Sequence, residues 1–150
     1  MRLDEHVCKC KEGCVKNSTQ TSFSVRGGKT YYLLQNPESK DVSKYIVDDC
    51  LLRNLQHEEK CDYLFTVTND EITNGYFIEL KGSDVSKAIK QVASSIGHLK
   101  SNVNGKLFGR IICSKFPKAP YTKSSHPYLS LMKTVRGNLI IKSQQLTESL

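Results

Sequence analysis

The chain has 150 residues, 38% of them hydrophobic and 25% charged, with a formal net charge of +7. That length suits a single domain with one real core and leaves little room for two. No stretch approaches the ~20 apolar residues of a membrane span, and the N-terminus, MRLDEHVCKCKEGC, lacks the apolar run of a signal peptide, so a soluble, cytoplasmic protein without a membrane partner is expected.

Residues 1–18 read as a mobile tail and residues 19–150 as one domain. The tail holds His6, Cys8, Cys10 and Cys14, four possible metal ligands in a short run. Structural zinc sites join two separated ligand pairs, and no second pair follows, so reduced thiols are expected there rather than zinc. Without a secretory signal, disulfides are not expected either. Cys50, Cys61 and Cys113 stand in apolar strand contexts and read as small core residues.

In TSFSVRGGKTYYLL, residues 21–34, a Gly27-Gly28 turn separates two alternating runs, which predicts a hairpin. The glycine pair is too short for a phosphate-binding loop. After a turn at Asn36-Pro37, residues 44–53 read as a strand containing Asp48-Asp49, and residues 54–59 as a polar loop in which His57 is solvated. Residues 61–82 predict a second hairpin, with strands near 61–67 and 76–80 around a polar loop, 68–75. Residues 83–100 carry the clearest helical stripe: Val85, Ala88, Ile89, Val92, Ala93, Ile96 and Leu99. Residues 106–114 predict a strand laid beside the central hairpin after that helix crosses over, 115–125 a loop, 128–136 a short helix and 138–143 a last strand.

Asp62, Glu79 and Lys81 are the chemically informative residues. A turn centred near Glu71 and Ile72 sets Asp62 beside Lys81 and Leu64 beside Glu79. Glu79 and Lys81 are two apart on one strand, so they share a face, roughly 6 to 7 Å apart. Their strand is otherwise Tyr-Phe-Ile-Leu, as in the middle of a sheet, where a Glu and a Lys are costly without a partner or a task. Gly82 then ends the strand and Ser83-Asp84 cap the helix, so the charges sit at a strand-to-helix junction.

An Asp on one core strand and a Glu-x-Lys on the next resembles the PD-(D/E)xK nuclease superfamily over residues 44–115. Residue by residue, Asp62 matches the motif aspartate, Glu79 the second acid and Lys81 the lysine, with Cys61 where the family name has Pro. The resemblance implies an α/β (α+β) restriction-endonuclease-like fold: a mixed central sheet with a central hairpin, a crossover helix near 83–100 and here an extra N-terminal hairpin. It implies Mg²⁺ or Mn²⁺ held by Asp62, Glu79 and the Leu80 carbonyl, and hydrolysis of phosphodiesters to a 5′-phosphate and a 3′-hydroxyl. A further acid that the superfamily commonly supplies is left open among Glu38, Asp41, Asp48 and Asp49. Gln91 lies where some branches use a Gln, but the Tyr expected four residues on is Ser95.

Charge gives an independent signal. Residues 101–150 hold eight Lys and Arg against Glu148 alone, while residues 1–100 are balanced. Lys106, Arg110, Lys115, Lys118 and Lys123, interleaved with Phe116 and Tyr121, together with Lys87, Lys90 and Gln91 on the helix, suit a polyanion. A metal-dependent nuclease acting on DNA is the expected function, with a twofold homodimer the simplest way for so short a chain to cut a duplex. The alternative is a catalytically inactive nucleic-acid-binding or protein-interaction module on the same fold, of the kind used in phage defence or mobile elements.

Overall fold

The computed structural model describes residues 14–115 and 123–150. The run containing His6, Cys8 and Cys10 lies outside the described residues, as do Phe116, Lys118 and Tyr121.

Among the described residues, nine strands form two sheets. In chain order they are β1 (Val15–Ser18), β2 (Ser22–Gly27), β3 (Thr30–Gln35), β4 (Asp41–Ile46), β5 (Tyr63–Asn69), β6 (Ile72–Lys81), β7 (Leu107–Cys113), β8 (Leu139–Ser143) and β9 (Gln145–Ser149). Two α-helices, α1 (Val85–Leu99) and α2 (His126–Thr134), and a π-helical turn, Val47–Leu51, complete the described elements that concern the site. The large sheet runs β1-β4-β5-β6-β7-β8, antiparallel as far as β6 and parallel from β6 to β8. In the small sheet, β2 is antiparallel to β3 and β9 runs parallel to it.

The large sheet is the middle of three layers. On one face Leu64, Phe77 and Ile111 pack with the α1 stripe and with Leu131 and Val135 at α2; on the other, Phe65, Ile78 and Ile112 pack with Phe23, Tyr32 and Leu34 of the small sheet. Strands covered on both faces need apolar residues at every position, which is why β5, β6 and β7 read as near-continuous apolar runs. The mixed α/β class, the N-terminal hairpin, the central hairpin and the crossover helix are all as the sequence suggests. In the N-terminal hairpin Gly27 pairs with Thr30, and Gly28 takes the left-handed φ of 58° that a two-residue loop requires.

Four expectations are corrected. Residues 15–18 belong to an edge strand on β4 rather than to a tail. Cys14 and Cys50 are joined as a disulfide, with Cα atoms 6.0 Å apart, rather than standing as two thiols. The predicted strand over 44–53 stops at Ile46 and gives way to the π-helical turn that carries Asp48 and Asp49. On α1 the buried stripe takes in Ser95 and leaves Ala93 exposed, because the Ser95 hydroxyl accepts the Cys61 N–H at 2.8 Å and ties the helix to the start of β5.

Candidate active site

The central hairpin is tighter than its sequence suggests. Its register runs from Tyr63↔Ile78 to Asn69↔Ile72, so the turn is Asp70-Glu71 and Leu64 faces Phe77 rather than Glu79. The polar run expected to be loop keeps pairing because the Thr68 and Thr73 hydroxyls bond across the strands at 3.0 Å and Asp70 accepts a φ of 56°. The difference from the expected register is two residues. An even slip returns every side chain to its own face, so the juxtaposition of the three charged residues survives.

At the open end of this hairpin the ladder bulges. The Asp62 N–H reaches the Ile78 carbonyl at 3.1 Å, although Tyr63 is the register partner of Ile78, and the Asp62 carbonyl accepts from Val47 N at 2.9 Å. The bulge turns the Asp62 side chain over the end of β6, where its Oδ2 accepts the Leu80 N–H at 2.9 Å, instead of lying beside Lys81. On a strand the N–H and C=O of one residue point to the same side, so the Leu80 carbonyl also faces the Asp62 side.

Glu79 lies beneath α1 with only 2% of its surface exposed. Its Oε2 is 3.8 Å from Lys81 Nζ, and its Oε1 is buried with no hydrogen-bond partner among the described residues. Burial foremost, then the neighbouring charge of Asp62, raises the Glu79 pKa from 4.5 to about 8, against the lowering effect of Lys81. Asp62 is also raised, chiefly by burial, while the Leu80 N–H and a hydrogen bond with Glu79 pull it down. The pair therefore holds one proton between two carboxyls near neutrality, Glu79 carrying it.

The shell behind the pair contains a second charge couple. Lys60 Nζ lies 3.1 Å from Asp48 Oδ1, and Asp48 is close enough to raise Asp62. Gln91 donates Nε2 to the Lys60 carbonyl at 3.1 Å, with its own Oε1 buried and unpartnered among the described residues. Of the four acids left open, Asp48 is the one whose charge reaches Asp62; Asp41 accepts from Asn17 and Glu38 pairs with Lys40. No pattern in the chain distinguishes them, since a π-helical turn has no periodicity of its own. Among the described residues no three His, Cys, Asp or Glu side chains form a metal-sized group. The oxygen donors at the hairpin end are two carboxyls and one carbonyl, a hard set that fits Mg²⁺ or Mn²⁺.

The cationic residues scatter more than expected. Lys87 and Lys90 are exposed on α1, which begins beside the site, and Lys115 is exposed just past β7, its N–H 3.5 Å from the Gly82 carbonyl. Lys123 is exposed ahead of α2, and Lys118 lies outside the described residues. Lys106 is at the opposite end of the sheet, where its N–H bonds the Asn74 side chain. Arg110 is a correction. It is 5% exposed, forks onto Glu148 at 2.6 and 3.0 Å, and gives Nη1 to the carbonyls of Gly109 and Asn138, so four of its five donors and its charge are already taken up inside the fold rather than presented to a phosphate. A cross-chain partner 38 residues away leaves no local mark by which sequence spacing would have found it.

Cys61 is no nucleophile: burial pushes its thiol up to about 12. No helix is long and apolar enough to cross a membrane among the described residues. Compared with family models, curated proteins and solved structures, the chain matches none.

Proposed function

We propose that the protein is a metal-dependent nuclease that hydrolyses phosphodiester bonds, with DNA as its substrate. The observation that carries this reading is the convergence of Asp62, Glu79 and Lys81 at the carboxyl end of β6, with one Glu79 oxygen buried and unpartnered. Asp62, Glu79 and the Leu80 carbonyl would hold Mg²⁺ or Mn²⁺, which supplies a charge against the scissile phosphate and acidifies a water. Asp62 is fixed by the Leu80 N–H, and Glu79 by its bed under α1, so neither needs to reorganise as charge develops. Lys81, partly exposed at 24% and tethered to Glu79, is the group that reaches outward to orient the attacking water and to neutralise the phosphoryl oxygens.

The test is cleavage of supercoiled plasmid with Mn²⁺ by the wild type and by Asp62→Ala, Glu79→Gln and Lys81→Ala. Nicking by the wild type and loss of at least a hundredfold in each variant is the expected result; cleavage that survives all three changes rules the assignment out.

One observation favours a second reading, in which the same surface binds nucleic acid without cutting it. Among the described residues the hairpin end offers two carboxyls, and burial raises one of them to a pKa of about 8. That reading expects DNA retention without any metal-dependent nicking by the wild type.

A further inference from the structure

The end of the sheet that carries Lys81 has a second feature, on the other face. Gly27, in the N-terminal hairpin, lies so close to Leu80 that a Cβ there would stand 2.9 Å from the Leu80 Cβ, which brings the hairpin tip down over the end of β6. Leu80 alternates with Glu79 and Lys81, so the tip covers the face turned away from the carboxylates. Between the tip and the end of β7 is a recess of about 490 Å³ lined by Arg26, Lys29, Tyr31, Ser114, Gln144 and Gln145.

The walls of the recess are held by the backbone. Ser114 N–H bonds the carbonyls of Lys81 and Gly82 at 2.9 and 2.8 Å, so the recess is one hydrogen bond away from the strand end that presents Lys81. Gln144 sits where the chain leaves the large sheet for the small one. Its N–H bonds the Cys113 carbonyl at 2.7 Å and its carbonyl accepts the Tyr31 N–H at 2.9 Å, holding it at a φ of 68°. Residues other than glycine seldom keep such a conformation, and it is found where surrounding structure imposes it, often at binding sites. The recess also lies outside the carboxyl ends of three parallel strands, β6, β7 and β8, the position at which open α/β sheets bind ligands.

Its chemistry is selective. Among the described residues, two of the six that line it are cations and none is an acid. The Arg26 guanidinium lies 4.8 Å from the centroid of the Tyr31 ring, which fixes a planar, two-pronged donor beside an aromatic ring. Two carboxamides, each both donor and acceptor, and a hydroxyl complete the lining. A duplex keeps its bases stacked inside and must unpair to place one in a recess; an unpaired strand need not, with the base against the Arg26–Tyr31 pair and its two flanking phosphates on Arg26 and Lys29.

We infer that this recess is a binding site for one unpaired nucleotide of a single-stranded nucleic acid, seated over the edge of the sheet from the Asp62–Glu79–Lys81 centre. The inference rests on the proposed function for its choice of polymer, and it narrows the substrate from duplex to single strand. The experiment is fluorescence anisotropy of a labelled oligothymidylate in EDTA, over a series of salt concentrations, with the wild type, Arg26→Gln/Lys29→Gln, Tyr31→Leu and Lys106→Gln. The double variant is expected to bind at least tenfold more weakly, with a salt slope lower by about 1.4, two phosphate contacts at ~0.7 each. Tyr31→Leu loses at least fivefold, and Lys106→Gln, at the opposite end of the sheet, binds like the wild type. All the substituted side chains are partly or fully exposed, and circular dichroism confirms the fold of each variant.

Unchanged affinity in both recess variants overturns the inference, as does a hairpin duplex bound as tightly as the single strand. Thymidine 5′-monophosphate, added as competitor, separates the sources of the same chemistry: strand binding that only longer oligonucleotides displace supports an in-chain nucleotide, and displacement by the mononucleotide at equal concentration overturns the assignment to a strand. Metal-dependent cleavage is read separately, so a wild type that fails to cut refutes the nuclease reading while leaving the recess result standing.

Discussion

Glu79→Gln is the substitution that most directly tests the electrostatics of the site. The folded chain holds the Glu79 proton up to about pH 8, against an ordinary value of 4.5, while the unfolded chain releases it near that ordinary value. Across the intervening window the folded state binds more protons than the unfolded one, so stability falls as pH rises from about 4.5 to about 8 and is level beyond. At 1.36 kcal/mol per unit, the penalty on the alkaline side is on the order of 3 to 5 kcal/mol, the attraction of Lys81 already included. Gln has the same shape and cannot ionise, and its amide can donate to Asp62. Urea titrations at intervals from pH 5 to pH 9 should show the wild type losing stability along that slope and the variant nearly flat, with the variant the more stable above pH 8. A wild type whose stability rises over the window, or a variant with the wild-type slope, refutes the placement of a buried, protonated Glu79.

If Asp62, Glu79 and the Leu80 carbonyl hold a divalent cation, Mn²⁺ at pH 8 should raise the melting temperature of the wild type and leave Glu79→Gln unmoved, as read by scanning calorimetry. Arg110→Ala should destabilise by about 3 to 5 kcal/mol, because it leaves Glu148 and the Tyr32 hydroxyl facing a gap, and Glu148→Leu added to Arg110→Met should recover most of that loss in urea titrations. Reduction of Cys14–Cys50, whose partners are 36 residues apart, should cost about 3 to 4 kcal/mol by loop entropy, measured by urea titration with and without dithiothreitol; no difference would show that the bridge does not constrain the unfolded chain.

The parts of the fold legible in the sequence are those with strong local periodicity. The α1 stripe, the Gly-Gly hairpin and the apolar runs of β5, β6 and β7 each announce their element, and each forms close to its expected span except β6, which begins four residues early at Ile72. β1 and β9 carried no such mark. Val15–Ser18 has one apolar residue, and Gln145–Ser149 has one, Leu146; both strands exist because a neighbouring edge was free to pair with them. The candidate site was legible because it depends on parity rather than on register. Asp62, Glu79 and Lys81 keep their face under a slip of two residues, and a slip of one would have sent Glu79 to the face beneath the small sheet. Asp48, Lys60 and Ser95 were illegible for the opposite reason: each is placed by a turn or a cross-layer hydrogen bond that leaves no pattern in the chain.

Net charge was a weaker guide than it looked, and the structure says where it still applies. Of the eight cations after residue 100, Arg110 is neutralised by the one acid of that stretch, and Lys106, Lys115, Lys123, Lys133, Arg136 and Lys142 are exposed. They divide between the ends of the sheet. Lys106 and Arg136 border a recess of about 640 Å³ at the amino end of β7, while Lys115 and Lys142 are at the carboxyl end, where Lys81, Arg26 and Lys29 also lie. A strand along β7 rises about 3.3 Å per residue, so its seven residues hold the two groups roughly 20 Å apart, twice the Debye length at ordinary salt. The carboxyl-end group shares its end of the sheet with the candidate active site. Lys106→Gln/Arg136→Gln should therefore leave the affinity for DNA within about twofold and the salt slope unchanged, whereas Lys115→Gln/Lys142→Gln should lower the slope by about 1.4 on single strands. Equal losses from the two pairs would mean that binding follows net charge alone, and would remove the reason for assigning the polyanion to the carboxyl end.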